Sequence, residues 1–195
     1  MEQLKKKLEE IIDFELKETN KVWNEYEIKK FESKCNLKLP NDYAFYLQHY
    51  GNDYIKEKYR FTPTVRLPKK INETEFEIDS LYGLYNDENN IEDKINLYKQ
   101  ILPPGLFPIG DLPGGDLICF DIKDNKLNNI YIWFHEMEDK NVFSIADSFE
   151  NFIKGFRSVE LEKSNLNNVK LNVSNKLNDF LKNPLKIYSF MKRHP

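Results

Sequence analysis

The fold is decided by Phe107-Pro-Ile-Gly-Asp-Leu-Pro-Gly-Gly-Asp116, by Leu117-Ile-Cys-Phe-Asp-Ile122 directly after it, and by Ile130-Tyr-Ile-Trp-Phe-His135 beyond a polar turn. Two short, dense runs of Ile, Phe, Tyr and Trp, separated by Asp, Asn and Lys, are the signature of a strand–turn–strand unit. A helix of this length would not carry Pro108, Gly110, Pro113, Gly114 and Gly115. The hairpin is therefore placed at the centre of one sheet, and the rest of the chain is read as what packs on it.

Towards the N-terminus the apolar residues recur at helical spacing. Residues 2–18 read as an amphipathic helix with Leu4, Leu8, Ile11 and Ile12 on one side. Asn24–Cys35 reads as a second helix, carrying Ile28, Phe31 and Cys35, with Asn36 as its left-handed stop. Leu37–Pro40 is an extended link, because the residue before a proline avoids helical angles. Asn41 or Asp42 is expected to cap a third helix bearing Tyr43, Tyr46, Leu47 and Tyr50, with Gly51 after it. Pro63 and Pro68 confine strands nearby to pieces such as Tyr59–Phe61, and Glu75-Phe-Glu-Ile78 alternates like a half-buried strand. Asn89-Asn90 is expected to cap a helix with Ile91, Ile95 and Tyr98, ended by Pro103-Pro-Gly105.

Beyond the hairpin, Val142–Ile145 is read as a third central strand. Asp147-Ser-Phe-Glu150 has the form of a capping box opening a stripe of Phe149, Phe152, Ile153 and Phe156. Gly155 weakens that helix by about 1 kcal/mol relative to alanine and permits close packing. From Ser158 onward Asn and Lys dominate, although Leu166, Val169, Val173, Leu177, Phe180 and Leu181 fit one helix that Pro184 would end. Residues 158–195 are too few for a core of their own, so they are expected to be a helical extension of a domain at 1–157. The expected class is α+β: a largely antiparallel, mixed sheet of about 4–6 strands flanked by helices.

Composition limits the function. The chain is 40% hydrophobic and 14% aromatic, which argues for a folded domain rather than disorder. No apolar run approaches the roughly 20 residues of a membrane helix, and Met1-Glu-Gln-Leu-Lys-Lys-Lys7 is no apolar signal core. Cys35 and Cys119 fit neither a metal pattern nor a disulfide framework, so the cytoplasm is the expected compartment. Net charge is only −3, but residues 71–150 hold 17 acids against 5 bases, whereas residues 151–195 hold 9 bases against 3 acids. An acidic middle repels nucleic acid and attracts basic partners if its charges share a face.

Residues that carry chemistry are sparse. Gly114-Gly115-Asp116 leads into a strand with no Gly-Lys-Ser/Thr after it, so it reads as a tight turn rather than a phosphate cradle. His49, His135 and His194 have no zinc-ligand spacing. His135-Glu136 at a strand end has the form of half an acid–base pair. Cys119, inside an apolar strand, reads as a buried and inert thiol. Asp116, Asp121 and Asp124 lack the periodicity of a calcium loop. The hairpin aromatics lack the interleaved basic residues of a single-strand nucleic-acid platform.

Three segments in order resemble the SUKH superfamily, the group named for yeast cell-wall-synthesis regulators of the Smi/Knr type. They are Ile28-Lys-Lys-Phe-Glu32 with Leu37-Lys-Leu-Pro-Asn-Asp-Tyr43 and Tyr50-Gly-Asn52; then Phe107-Pro-Ile-Gly110, Gly114–Asp121 and Ile130–Glu136; and finally Ile145–Phe152. The resemblance spans roughly Val22–Phe156, and Tyr-Gly-Asn stands where many members have Asn-Gly. It implies an α+β domain that binds rather than catalyses, with no catalytic motif and no cofactor. Many bacterial members resemble immunity proteins that block a nuclease or deaminase toxin of polymorphic or contact-dependent systems. The expectation is thus a cytoplasmic immunity protein, monomeric or weakly dimeric, with a basic toxin domain as partner and neither nucleic acid nor membrane. Its candidate contacts are Glu73, Glu75, Asp87, Glu88, Glu92, Asp93 and Asp111. The alternatives are a regulatory or scaffolding module docking through its basic C-terminal segment, and an enzyme using His135 and Glu136.

Overall fold

In the computed structural model, which describes residues 1–15, 22–138 and 140–160, the hairpin joins Leu117–Lys123 (β5) to Lys126–Trp133 (β6). Asp124 and Asn125 turn it, at φ 52° and 55°. Two consecutive left-handed residues follow the twist of the flanking strands, and Asp and Asn tolerate that conformation. Leu106–Asp111 (β4) pairs with the far side of β5, and Val142–Ala146 (β7) pairs with β6. Asp53–Tyr54 (β1) and Ser80–Leu81 (β3) complete a six-stranded sheet in the order β1-β3-β4-β5-β6-β7, with every neighbouring pair antiparallel. Tyr59–Phe61 (β2) and Phe156–Ser158 (β8) form a separate antiparallel pair. The class is α+β, and Met1–Val159 forms one compact unit. The helix expected within 158–195 lies outside the described residues.

The helices are Glu2–Ile11 (α1), Glu25–Cys35 (α2), Asn41–His49 (α3), Ile91–Tyr98 (α4) and Phe149–Lys154 (α5). Their ends follow from side-chain chemistry. Asn24 and Glu27 form a reciprocal capping box on α2, and Asn36 closes it at φ 52°. Asn90 caps α4 by accepting from the N–H groups of Glu92 and Asp93, at 2.9 and 3.1 Å.

Several local expectations differ from the structure. The first helix ends at Ile11, because Ile12 turns extended and bridges Ile55. Pro40, not Asn41 or Asp42, occupies the N-cap of α3. The Asp42 carboxylate instead accepts from Tyr43 N and, across the fold, from Glu150 N at 2.8 Å. Ser148 rather than Asp147 caps α5, accepting from Asn151 N at 3.2 Å. Glu75–Ile78 has the expected alternation, with Phe76 and Ile78 buried, but makes only one bridge, Phe76 to Phe61. β7 lies at the sheet edge, not in the centre.

Alternation along β5 separates two packed layers. Ile118 and Phe120 face the main core, where Tyr43 of α3 and Phe149 of α5 meet Phe120 at ring distances of 5.0 and 6.3 Å. Leu117, Cys119 and Trp133 face the other way and pack with Tyr98, Leu102, Leu106 and Val142. The second face is thus covered from the α4 side, and Trp133 serves as packing. Each buried Leu or Ile contributes about 1.5–3 kcal/mol. The domain accordingly rests on both layers.

Candidate interaction surface

β3, the end of β4 and the start of α4 gather the acidic residues. Asp111 ends β4, and its Oδ1 accepts from Ser80 N and Ser80 Oγ at 3.1 and 2.6 Å. Its Oδ2 accepts from the Tyr82 hydroxyl at 3.3 Å and lies 3.6 Å from Lys94 Nζ. Asp111 therefore brackets β3, β4 and α4 together. Beside it, the carboxyl of Asp79 is raised above its ordinary range by partial burial and by the charges of Asp111, Glu77 and Glu88. Like charges held this closely set up a negative field over this side of the domain.

The loop before α4 is held by Asn52, which sits at φ 51°. Its Nδ2 donates to Tyr85 O at 3.1 Å and to the Asp87 carboxylate, and its Oδ1 accepts from Tyr85 N at 3.2 Å. Only a glycine fits opposite: a Cβ on Gly83 would stand 2.3 Å from Asn52 Oδ1 and 2.4 Å from Asn52 N. The Tyr54 hydroxyl donates to Glu88, which together with burial pushes its phenol up to about 12. The Tyr-Gly-Asn segment noted in the sequence thus fixes the acidic loop.

The seven candidate contacts separate into groups. Asp87 and Glu88 are exposed but tethered to Asn52 and Tyr54. Glu92 pairs with Lys34 of α2 at 2.6 Å, and Asp111 is turned inward. Asp93 is exposed on the first turn of α4. Glu73 and Glu75 lie exposed on the segment leading to Phe76, and among the described residues no hydrogen bond or ion pair joins them to the other five. Sequence reasoning missed Glu77 and Asp79. Their signal was the i, i+2 alternation that puts Glu75, Glu77 and Asp79 outward while Phe76 and Ile78 go in.

The other chemical candidates have structural surroundings. Asp116 Oδ1 accepts from His135 N at 3.0 Å and lies 2.9 Å from His135 Nδ1, while Glu136 lies 3.8 Å from Nε2. Gly114 and Gly115, at φ 97° and 101°, make the tight turn before Asp116. His49 Nδ1 lies 3.0 Å from Phe45 O, and His194 lies outside the described residues. Among the described residues no group of three His, Cys, Asp or Glu could hold a metal, and no helix is long and apolar enough to cross a membrane. Burial raises the thiols of both Cys35 and Cys119, which disfavours the nucleophilic thiolate. A half-open groove of about 380 Å³ runs between α2, α4 and β4, lined by Cys35, Leu37, Ile95, Leu102, Phe107 and Ile122.

A six-stranded antiparallel sheet under helices, with a fixed acidic loop beside it, defines an α+β domain. The chain belongs to the SMI1 / KNR4 family (SUKH-1), whose model matches residues 24–155. It is similar to the SPbeta prophage-derived uncharacterized protein YokK of Bacillus subtilis (strain 168), with 33% identity over 140 residues, 65% of this chain and 71% of that protein.

Proposed function

We propose that this chain is a cytoplasmic immunity protein that binds a cognate toxin domain, of nuclease or deaminase type, and blocks it without catalysis. Membership of the SMI1 / KNR4 (SUKH-1) family carries this reading. The negative field around Asp79, Glu88 and Asp93 supports a basic partner, because complementary charge speeds association and suppresses wrong partners. Glu73, Glu75 and Asp87 extend the proposed contact set, with Glu92 and Asp111 holding its frame. Co-expression with the toxin domains encoded beside the gene tests it. Rescue of growth with a salt-sensitive, stoichiometric complex is the expected result. Failure to rescue from, or to bind, any neighbouring toxin would sink the reading.

A second reading rests on the basic segment 151–195, with 9 bases against 3 acids. There the domain is a regulatory or scaffolding module that docks a cellular partner through this segment. Val159 N donates to Lys58 O at 2.8 Å, so a truncation that separates the readings must cut after Glu160. Neutralisation retained by residues 1–160 favours the domain surface. Partner binding lost with the fold intact favours the segment.

A further inference from the structure

The groove between α2, α4 and β4 lies on the seam of the two packed layers. Leu37, Ile95 and Ile122 pack on the main core and Leu102 and Leu106 on the second layer, and all five are only half-buried. All five line the groove, so the apolar surface they leave uncovered converges on one cavity of about 380 Å³, with the buried Phe107 beside them. That volume falls within the roughly 300–1,000 Å³ of small-molecule sites, and is far larger than the voids that close-packed interiors leave.

Its walls are preformed. Pro103, Pro104 and Pro108 stiffen the backbone on one side, and Gly105 O accepts from Ile122 N at 2.7 Å, which ties that turn to β5. On the other side Lys34 Nζ of α2 reaches Glu92 of α4 at 2.6 Å. Lys99 also lines the groove, is exposed, and among the described residues has no acid paired with it. Asn96, three residues before Lys99 and on the same helical face, adds an amide donor. The groove is thus bordered by two cations and one carboxylate, although residues 71–150 as a whole hold 17 acids against 5 bases. An apolar cavity with one uncompensated ammonium at its edge is complementary to an apolar molecule that carries one negative charge.

We propose that this groove binds a small amphipathic carboxylic acid, with its chain against Leu37, Ile95, Phe107 and Ile122 and its carboxylate at Lys99. Burial of the chain supplies most of the affinity, and the ammonium selects the acid over a neutral molecule of the same length. Because the walls are already in place, little ordering of the protein opposes binding. The site is independent of the immunity reading, and the failure of either leaves the other standing.

The test titrates the full chain with hexanoate, octanoate and decanoate, and with octanol as the neutral control, by calorimetry and amide chemical shifts. Octanoate should bind one to one with a Kd on the order of 1 mM, and each added methylene should tighten binding about fourfold until the groove is full. Shifts should centre on Cys35, Ile95, Lys99 and Ile122, and bound decanoate should shield the Cys35 thiol from an aromatic disulfide reagent several-fold. Lys99→Glu, at an exposed position that tolerates the change, should weaken octanoate about fivefold or more and leave octanol unaffected. Ile95→Trp, which fills the groove, should abolish binding of both; its urea midpoint reports whether it folds, and if it does not, Lys99→Glu carries the test. Octanol binding as tightly as octanoate, indifference to Lys99→Glu, shifts centred elsewhere, or no saturable binding would each overturn the proposal.

Discussion

Gly155→Ala sets a local rule against tertiary packing. Gly155 follows α5 at φ −68° and ψ −17°, angles that alanine adopts freely. By helix propensity alone, the substitution should stabilise by about 0.5–1 kcal/mol. Packing reverses the sign. The new Cβ would stand 2.4 Å from Phe61 Cε2 and 2.8 Å from Thr62 O, where 3.4 Å or more is ordinary contact. Phe61 is fully buried, with its ring 4.8 Å from that of Phe152 and 5.7 Å from that of Phe156, so it has nowhere to retreat. The backbone is tied as well, because Thr62 N donates to Gly155 O at 3.0 Å. Overpacking costs about 1–3 kcal/mol, and weakening that hydrogen bond adds about 1 kcal/mol. After the propensity gain, the net loss is about 1–3 kcal/mol. With a urea m-value of about 2 kcal/mol/M, the midpoint falls by roughly 0.5–1.5 M. Phe61→Leu should recover part of the loss, giving a coupling of about 0.5 kcal/mol or more in the double variant. An unchanged or raised midpoint for Gly155→Ala, or strict additivity with Phe61→Leu, would refute the reasoning.

Three further outcomes are expected. Asn90→Ala removes the cap of α4 and the 2.7 Å bond from Asn90 Nδ2 to Tyr85 O, costing about 1–2 kcal/mol; unchanged amide exchange at Glu92–Lys94 would contradict this. Asp79 has a native pKa above its unfolded value, so its contribution is fully present below the ordinary carboxylate range and is lost as pH rises through the raised value. Asp79→Asn should abolish that loss and, since the group is largely exposed, raise stability at pH 7 by only about 0.2–0.5 kcal/mol; urea midpoints at pH 4 and 7 measure it, and an unaltered pH dependence would count against it. Cys119 is fully buried and Cys35 half-buried, both with raised thiols. An aromatic disulfide reagent should modify Cys35 first, and Cys119 only as fast as the domain opens, whereas simultaneous modification would contradict the packing.

What the sequence made legible were the elements with their own local signal. The β5–β6 hairpin has aromatic runs about a polar turn, and α2 has apolar residues at helical spacing and the left-handed stop at Asn36; its Asn24–Glu27 capping box went unread. β4 was harder to read as a strand because Pro108 lacks an N–H. The ladder accommodates it through an irregularity in register between Pro108 and Gly110, which only the partner strand reveals. β1 and β3 are two residues each, too short for any periodicity, and exist because β4 and Asp111 hold them. Asp42 reads as a local cap yet accepts from Glu150, a partner 108 residues away. At the candidate surface, acidity was visible but its internal use was not.

Strand order also governs how this chain acquires its shape. β4, β5, β6 and β7 neighbour one another in the sheet in the order of synthesis, so their pairing needs only short loops to close. The pair of Tyr59 with Ser158 joins the first half of the domain to its C-terminal end and must wait for nearly all of it. Pulse-labelled amide exchange during refolding should therefore protect the meander before Tyr59–Phe61, and the reverse order would count against this. On the ribosome, the acidic loop and α4 emerge well before the clasp that closes the domain, so the candidate surface is synthesised early and completed late.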